Sequence, residues 1–172
     1  MLDVRRRSAF HTLGRRQPRP HRPASPPRRA TPSPSPGRPM PIYTCTCVQG
    51  SLPSDVKDGL AAEITRIHAD INGVPPDYVN VVFTETPREN VYVGGRPGTP
   101  LLINGWARRG HPQDSTTRLA LAIAEAASRI SGIPQEHVMV VILDSPARSA
   151  VEAGRVLPDP GHEAEWLAAG RS

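Results

Sequence analysis

From Pro41 onward the chain nearly repeats itself, and an internal repeat constrains a fold more than any local signal does. The stretch from Gly73 to Pro87 (GVPPDYVNVVFTETP) lines up with Gly132 to Pro146 (GIPQEHVMVVILDSP) at a spacing of 59 residues without a gap. Carried upstream, the same spacing sets Pro41 opposite Pro100 and Ile42 opposite Leu101. Whatever one copy forms, the other must form too, and the two must pack together.

Each copy reads strand, helix, strand. Ile42–Val48 is rich in Tyr, Thr and Val, which suits a strand. Over Pro53–Asn72 the residues Val56, Leu60, Ile64, Ile67 and Ile71 recur at helical spacing and make one apolar stripe. Pro53 suits the first turn of that helix, and Gly73 suits the position just past its end. Tyr78–Thr84 follows as a strand closed by Pro87. The second copy predicts a strand over Leu101–Ala107, a helix over Pro112–Ser131 with Leu119, Ile123 and Ile130 inward, a stop at Gly132, and a strand over Val138–Leu143. Asn90 to Gly95 reads as a short hairpin strand, and Val151 to Gly170 as irregular with some helix. Asn104-Gly105 interrupts the second copy's first strand and is read as a kink or bulge.

A strand, a crossover of roughly 20 residues and a second strand usually make a right-handed parallel pair. Two such units side by side predict an α/β (α+β) domain over residues 41–172, with repeats 41–87 and 100–146. Its four-stranded sheet would carry both helices on one face. The other face keeps apolar residues, either Val79, Val81 and Phe83 or the alternate set, so a symmetric oligomer is expected to cover it.

Residues 1–40 differ from everything after them. They hold ten Arg, no Lys and one acid, a balance of +9, while the remainder stands at −4, for a total of +5. Nine of the 21 prolines also lie there. The run from Pro32 to Pro39 can form neither helix nor sheet and has no apolar groups to bury. This stretch is therefore expected to be disordered, as upstream sequence not normally translated, as a flexible tail that grips nucleic acid or another polyanion, or as a targeting leader. The basic balance belongs to it alone, so the domain itself is not expected to bind nucleic acid. No apolar run follows Arg5-Arg6-Arg7 that could cross a membrane.

Two cysteines, Cys45 and Cys47, exclude a disulfide framework and make a reducing cytoplasm the expected compartment. They share one strand face with no second cluster at ligand spacing, so no metal site is expected. Gly94-Gly95-Arg96-Pro97-Gly98 lacks the strand–helix context of a phosphate loop.

Met40-Pro41 carries the chemistry. If translation begins at Met40, removal of that methionine leaves Pro41 as the amino terminus. A secondary amine there can take and give a proton near neutral pH, whereas inside a chain the same nitrogen is an amide with almost no basicity. Arg108, at the end of the second copy's first strand, offers a guanidinium fork suited to a carboxylate. The adjacent Arg109 points to the other face of the strand.

The tandem strand–helix–strand repeat starting at Met40-Pro41 resembles the tautomerase superfamily, whose members use an amino-terminal proline. The closer resemblance is to its cis-3-chloroacrylic acid dehalogenase-like branch. It spans about Pro41 to Trp166 and rests on Ile64-Thr65-Arg66-Ile67-His68, on Asn90 to Gly95, and on Gly154 to Pro158 with Pro160 to Trp166. The resemblance implies a homotrimer, no cofactor and a small carboxylic-acid substrate. It implies Pro41 as the catalytic proline, His68 as the helix histidine that hydrogen-bonds substrate, Arg108 as a substrate-binding arginine, and Glu152 as the glutamate that activates water. Two positions depart from the branch. Its second arginine falls on His111, which could still supply a hydrogen bond or, at lower pH, a charge. Its active-site tyrosine falls on Val141. Enol–keto tautomerisation of a small α-keto or unsaturated acid is therefore the leading expectation. Dehalogenation or hydration of a 3-haloacrylate-like acid through Glu152 is the first alternative. A non-catalytic oligomeric scaffold with a polyanion-binding tail is the second.

Overall fold

The computed structural model describes residues 41–170, and the expectation for residues 1–40 lies outside them. The first copy forms β1 (Ile42–Val48), α1 (Ser54–Asn72) and β2 (Asn80–Thr86). The second forms β5 (Leu101–Arg108), α2 (Gln113–Ser131) and β6 (Val138–Ser145). Between the copies lies a hairpin of β3 (Tyr92–Val93) and β4 (Arg96–Pro97). A second hairpin of β7 (Val151–Glu152) and β8 (Arg155–Val156) follows, and α3 (Glu163–Ala169) closes the described chain.

The sheet order is β2-β1-β5-β6. Each copy contributes one parallel pair, and β1 joins the copies by running antiparallel to β5. Pro53 and Pro112 stand one residue before their helices, with ψ of 159° and 141°, and so cap them rather than occupy the first turn. Gly73 (φ 66°) and Gly132 (φ 71°) end them in the left-handed conformation that favours glycine.

The strand after α1 starts later than the sequence suggests, whereas β6 starts at Val138 as expected. Pro76–Tyr78 forms one 3₁₀ turn, and pairing begins only at Asn80, whose N–H donates to the Pro41 carbonyl at 2.9 Å.

The core lies between the sheet and the helices. Tyr43, Cys45 and Cys47 on β1 and Leu101 and Ile103 on β5 meet Leu60, Ile64 and Ile67 of α1 and Leu119, Ile123, Ala126 and Ala127 of α2. Val79, Val81 and Phe83 also turn towards the helices. The exposed apolar face is therefore the alternate set, with Ile42, Val82, Met139 and Leu143 about half or more exposed.

Three features correct the sequence reading. The register of β1 on β2 runs from Ile42 to Asn80, a step of 38, but that of β5 on β6 runs from Leu101 to Val138, a step of 37. The first strands are thus related by 60 residues, not 59: Tyr43 matches Ile103, both facing inward, and Ile42, which faces out, matches Leu102. The helices and second strands keep 59, so the second copy carries one residue fewer between β5 and α2.

At Gly105 there is no bulge, because pairing with β1 and β6 runs through it unbroken. A Cβ there would lie 2.6 Å from the Tyr43 ring and 2.7 Å from Ile142 Cδ1. The glycine makes room for the tyrosine.

The segment after Pro146 is more regular than expected, since β7–β8 repeats β3–β4 at the 59-residue spacing. Gly94 (φ 57°) is matched by Ala153 (φ 49°), the one non-glycine residue with positive φ among those described.

Candidate active site

The antiparallel join brings the beginning of β1 beside the end of β5, with Ile42 opposite Trp106. Pro41 therefore lies against Ala107, at the end of the sheet nearest the last turns of α1. There Pro41, His68, Val74, Trp106, Ala107, Arg108 and His111 line a cavity of about 20 Å³, room for roughly one water. Of the residues singled out from the sequence, Pro41, His68, Arg108 and His111 thus come together. Glu152 does not line this cavity; it stands on β7, opposite Arg155. Val141 sits on β6 opposite Asn104, on the open side of the sheet.

His68 is 3% exposed and has protein partners on both ring nitrogens. Nδ1 lies 2.6 Å from the Tyr43 hydroxyl and Nε2 lies 3.1 Å from Asn72 Nδ2. With the Asn72 amide donating to Nε2, the ring proton sits on Nδ1 and is donated to Tyr43. Burial, reinforced by the nearby His111 and Arg108, lowers the His68 pKa to about 4, so the ring is neutral at physiological pH. His111 is half-buried, and burial with the Arg108 charge lowers its pKa while Glu163 pulls the other way.

Arg108 shares the strand face of Trp106 and is 8% exposed. Its guanidinium donates through Nη1 to the Pro158 carbonyl at 2.7 Å and through Nη2 to Glu163 Oε1 at 2.5 Å. Partial burial pushes the Glu163 carboxyl up, but the Arg108 bond and charge together with backbone N–H donors, Gly161 among them, hold it below its ordinary range. Arg109 points away, as strand alternation requires, and reaches Asp144 at 3.3 Å. The chain around Pro158 and α3 is anchored by a second small cluster, in which Ala147, Leu157 and Trp166 pack with Trp106 and Leu167.

Sequence reasoning missed Tyr43, Asn72 and Glu163. The inward parity that Tyr43 shares with Cys45 could have found the first of these. No spacing rule links Glu163 to an arginine 55 residues earlier.

A larger groove of about 420 Å³ opens at the opposite end of β1 around Pro100, with Cys47, Tyr92, Leu102, His137 and Met139 among its walls. Pro100 is a mid-chain amide without a basic nitrogen, and no arginine lines that groove. The repeat thus yields one cavity lined by Arg108 and two histidines and one largely apolar groove.

No described helix is long and apolar enough to cross a membrane. No curated protein matches the sequence. Among solved structures, the native protein Ps01740 is 33% identical, with a TM-score of 0.63 over 64% of this chain and 99% of that one. N1, a member of the cis-3-chloroacrylic acid dehalogenase family, is 27% identical, with a TM-score of 0.70 over 74% of this chain and 90% of that one. A fused 4-OT described as a wild-type symmetric trimer shares the fold at 22% identity, with a TM-score of 0.59 over 65% of this chain and 95% of its own. The family model described as "Putative oxalocrotonate tautomerase enzyme" matches residues 40–171. This chain therefore belongs to that tautomerase family, in the cis-3-chloroacrylic acid dehalogenase-like branch of the superfamily.

Proposed function

We propose that the protein is a cofactor-free tautomerase of a small α-keto or unsaturated carboxylic acid, working as a homotrimer in the cytoplasm with Pro41 as its amino-terminal residue. The observation that carries this reading is the convergence of Pro41, His68, Arg108 and His111 on one cavity. A free secondary amine among Val74, Trp106 and Ala107 loses hydration and faces nearby cationic groups. Both effects disfavour its protonated form and bring its pKa towards neutrality, where a general base works best.

Pro41 takes the proton from the enol oxygen or the α-carbon and returns it to the other. The guanidinium of Arg108 orients the substrate carboxylate, and His111 adds a hydrogen bond. His68, neutral and fixed by Tyr43, accepts from the enol hydroxyl of the substrate once Nε2 exchanges Asn72 for substrate. Val141 lies on the exposed face that the trimer covers. The dehalogenase alternative draws on the 27% identity to N1, and it requires Glu152 to reach a cavity that its own chain's fold keeps it from lining.

The test is the intact mass of the protein made from its own coding sequence, followed by ketonisation of an arylpyruvate enol. A chain that starts at Pro41 and turns over, with Pro41→Ala and Arg108→Ala each losing about a hundredfold or more in kcat/KM, is the expected result. A free Pro41 without turnover, or Pro41→Ala at full activity, refutes it.

A further inference from the structure

Arg108, the group given above to a substrate carboxylate, already holds a carboxylate. Glu163 Oε1 accepts from its Nη2, and Glu163 Oε2 accepts from the Gly161 N–H at 2.8 Å. We infer that the segment from Pro158 to Ala169 is a strap that fills the substrate's seat, and that substrate enters by displacing Glu163 from Arg108. This rests on the reading of Arg108 as the carboxylate-binding residue.

Space requires that something move. The closed cavity holds roughly one water, and even the smallest α-keto acid is several times larger. Most of its walls are core-bound: Pro41, Trp106, Ala107 and Arg108 lie on or beside sheet strands, and His68 is pinned by Tyr43 and Asn72. The strap is held more lightly. Its helix α3 has seven residues, and its anchors are Leu157, Trp166 and Leu167 in the small second cluster rather than the main core. Elements with few buried apolar contacts open at the lowest free energy.

There is also a place for the space to come from. An open cleft of about 610 Å³ runs between Gly73, Val74 and Pro75 on one side and Glu163, Ala164 and Leu167 on the other. It shares Val74 and His111 with the closed cavity. Withdrawing Glu163 joins the two into a site of ordinary ligand size.

The exchange is neutral in charge. One carboxylate replaces another on the guanidinium, and the released Glu163 is solvated in the cleft. An uncharged analogue has no anion to offer Arg108 and leaves the strap shut, so the same contact selects for acids.

The test is hydrogen exchange of the amides of residues 158–169, on the protein made from its own coding sequence, with pyruvate as probe and methyl pyruvate as the uncharged control. Pyruvate should raise exchange at Gly161 and Trp166 and methyl pyruvate should not. Glu163→Gln should show the raised exchange without ligand, and should lower KM for an α-keto acid by roughly three- to tenfold. Glu163→Asp, which keeps the charge and shortens the reach, should shift both readouts the same way by less. A KM that rises in Glu163→Gln would mean that Glu163 only positions Arg108, and would overturn the inference. Exchange indifferent to pyruvate would overturn it too. Raised exchange without any turnover would leave the strap standing and remove the tautomerase.

Discussion

One distinct part of the acid sensitivity of this protein should come from His68. Its ring is buried and hydrogen-bonded at both nitrogens, and its pKa falls from the ordinary 6.5 to about 4 on folding. The unfolded chain therefore takes up a proton at a pH where the folded chain does not. Stability is full above about pH 6.5, falls as the pH drops through the interval, and stops falling near pH 4, where the folded form also protonates. At 1.36 kcal/mol per unit of pKa difference, the whole effect is about 3 kcal/mol, of which about 2 kcal/mol is lost by pH 5.

Carboxylates titrate in the same range, so the wild type alone cannot isolate the term. Urea unfolding at intervals from pH 7.5 to 4 should be compared with His68→Gln, which keeps a polar side chain without a titrating ring. The stability difference between the two proteins should shrink by about 2 kcal/mol between pH 7.5 and pH 5. Parallel pH profiles would refute the reasoning, because they would mean that His68 is hydrated or already charged in the folded state.

Gly105→Ala should lower stability by about 1–3 kcal/mol, since its Cβ would stand 2.6 Å from the Tyr43 ring in a packed core. An unchanged thermal midpoint would show that the ring moves freely, and with it the support of His68. Leu143→Lys puts a charge at a 61%-exposed position on the open sheet face. Size-exclusion chromatography with light scattering should show the proposed trimer giving way to monomer at about the same thermal stability, and an intact trimer would place the interface elsewhere.

How far each feature could be read in advance follows from how local its cause is. Helix limits and the direction of the parallel pairs depend on neighbours within one copy, and the apolar stripes and the glycine stops at Gly73 and Gly132 carried them. The partner of Arg108 could not be found this way, because two side chains 55 positions apart meet only after the C-terminal segment has folded over Trp106.

Gly105 shows the same division. In sequence it is an interruption in a strand, and its cause is a ring on the neighbouring strand, opposite in an antiparallel register that no local pattern specifies. The repeat by itself determined that two strand–helix–strand units share one sheet, since apolar faces of matching period have to be buried against one another. Only the tertiary structure decided that β5 slips by one residue relative to β1, leaving Leu101 inside and Ile42 outside. It alone also decided that one end of the sheet gathers Pro41, His68, Arg108 and His111 while the other gathers an apolar groove. Periodicity records which face a residue prefers. Register, and the side chains that meet across it, is set by packing between segments far apart in the chain.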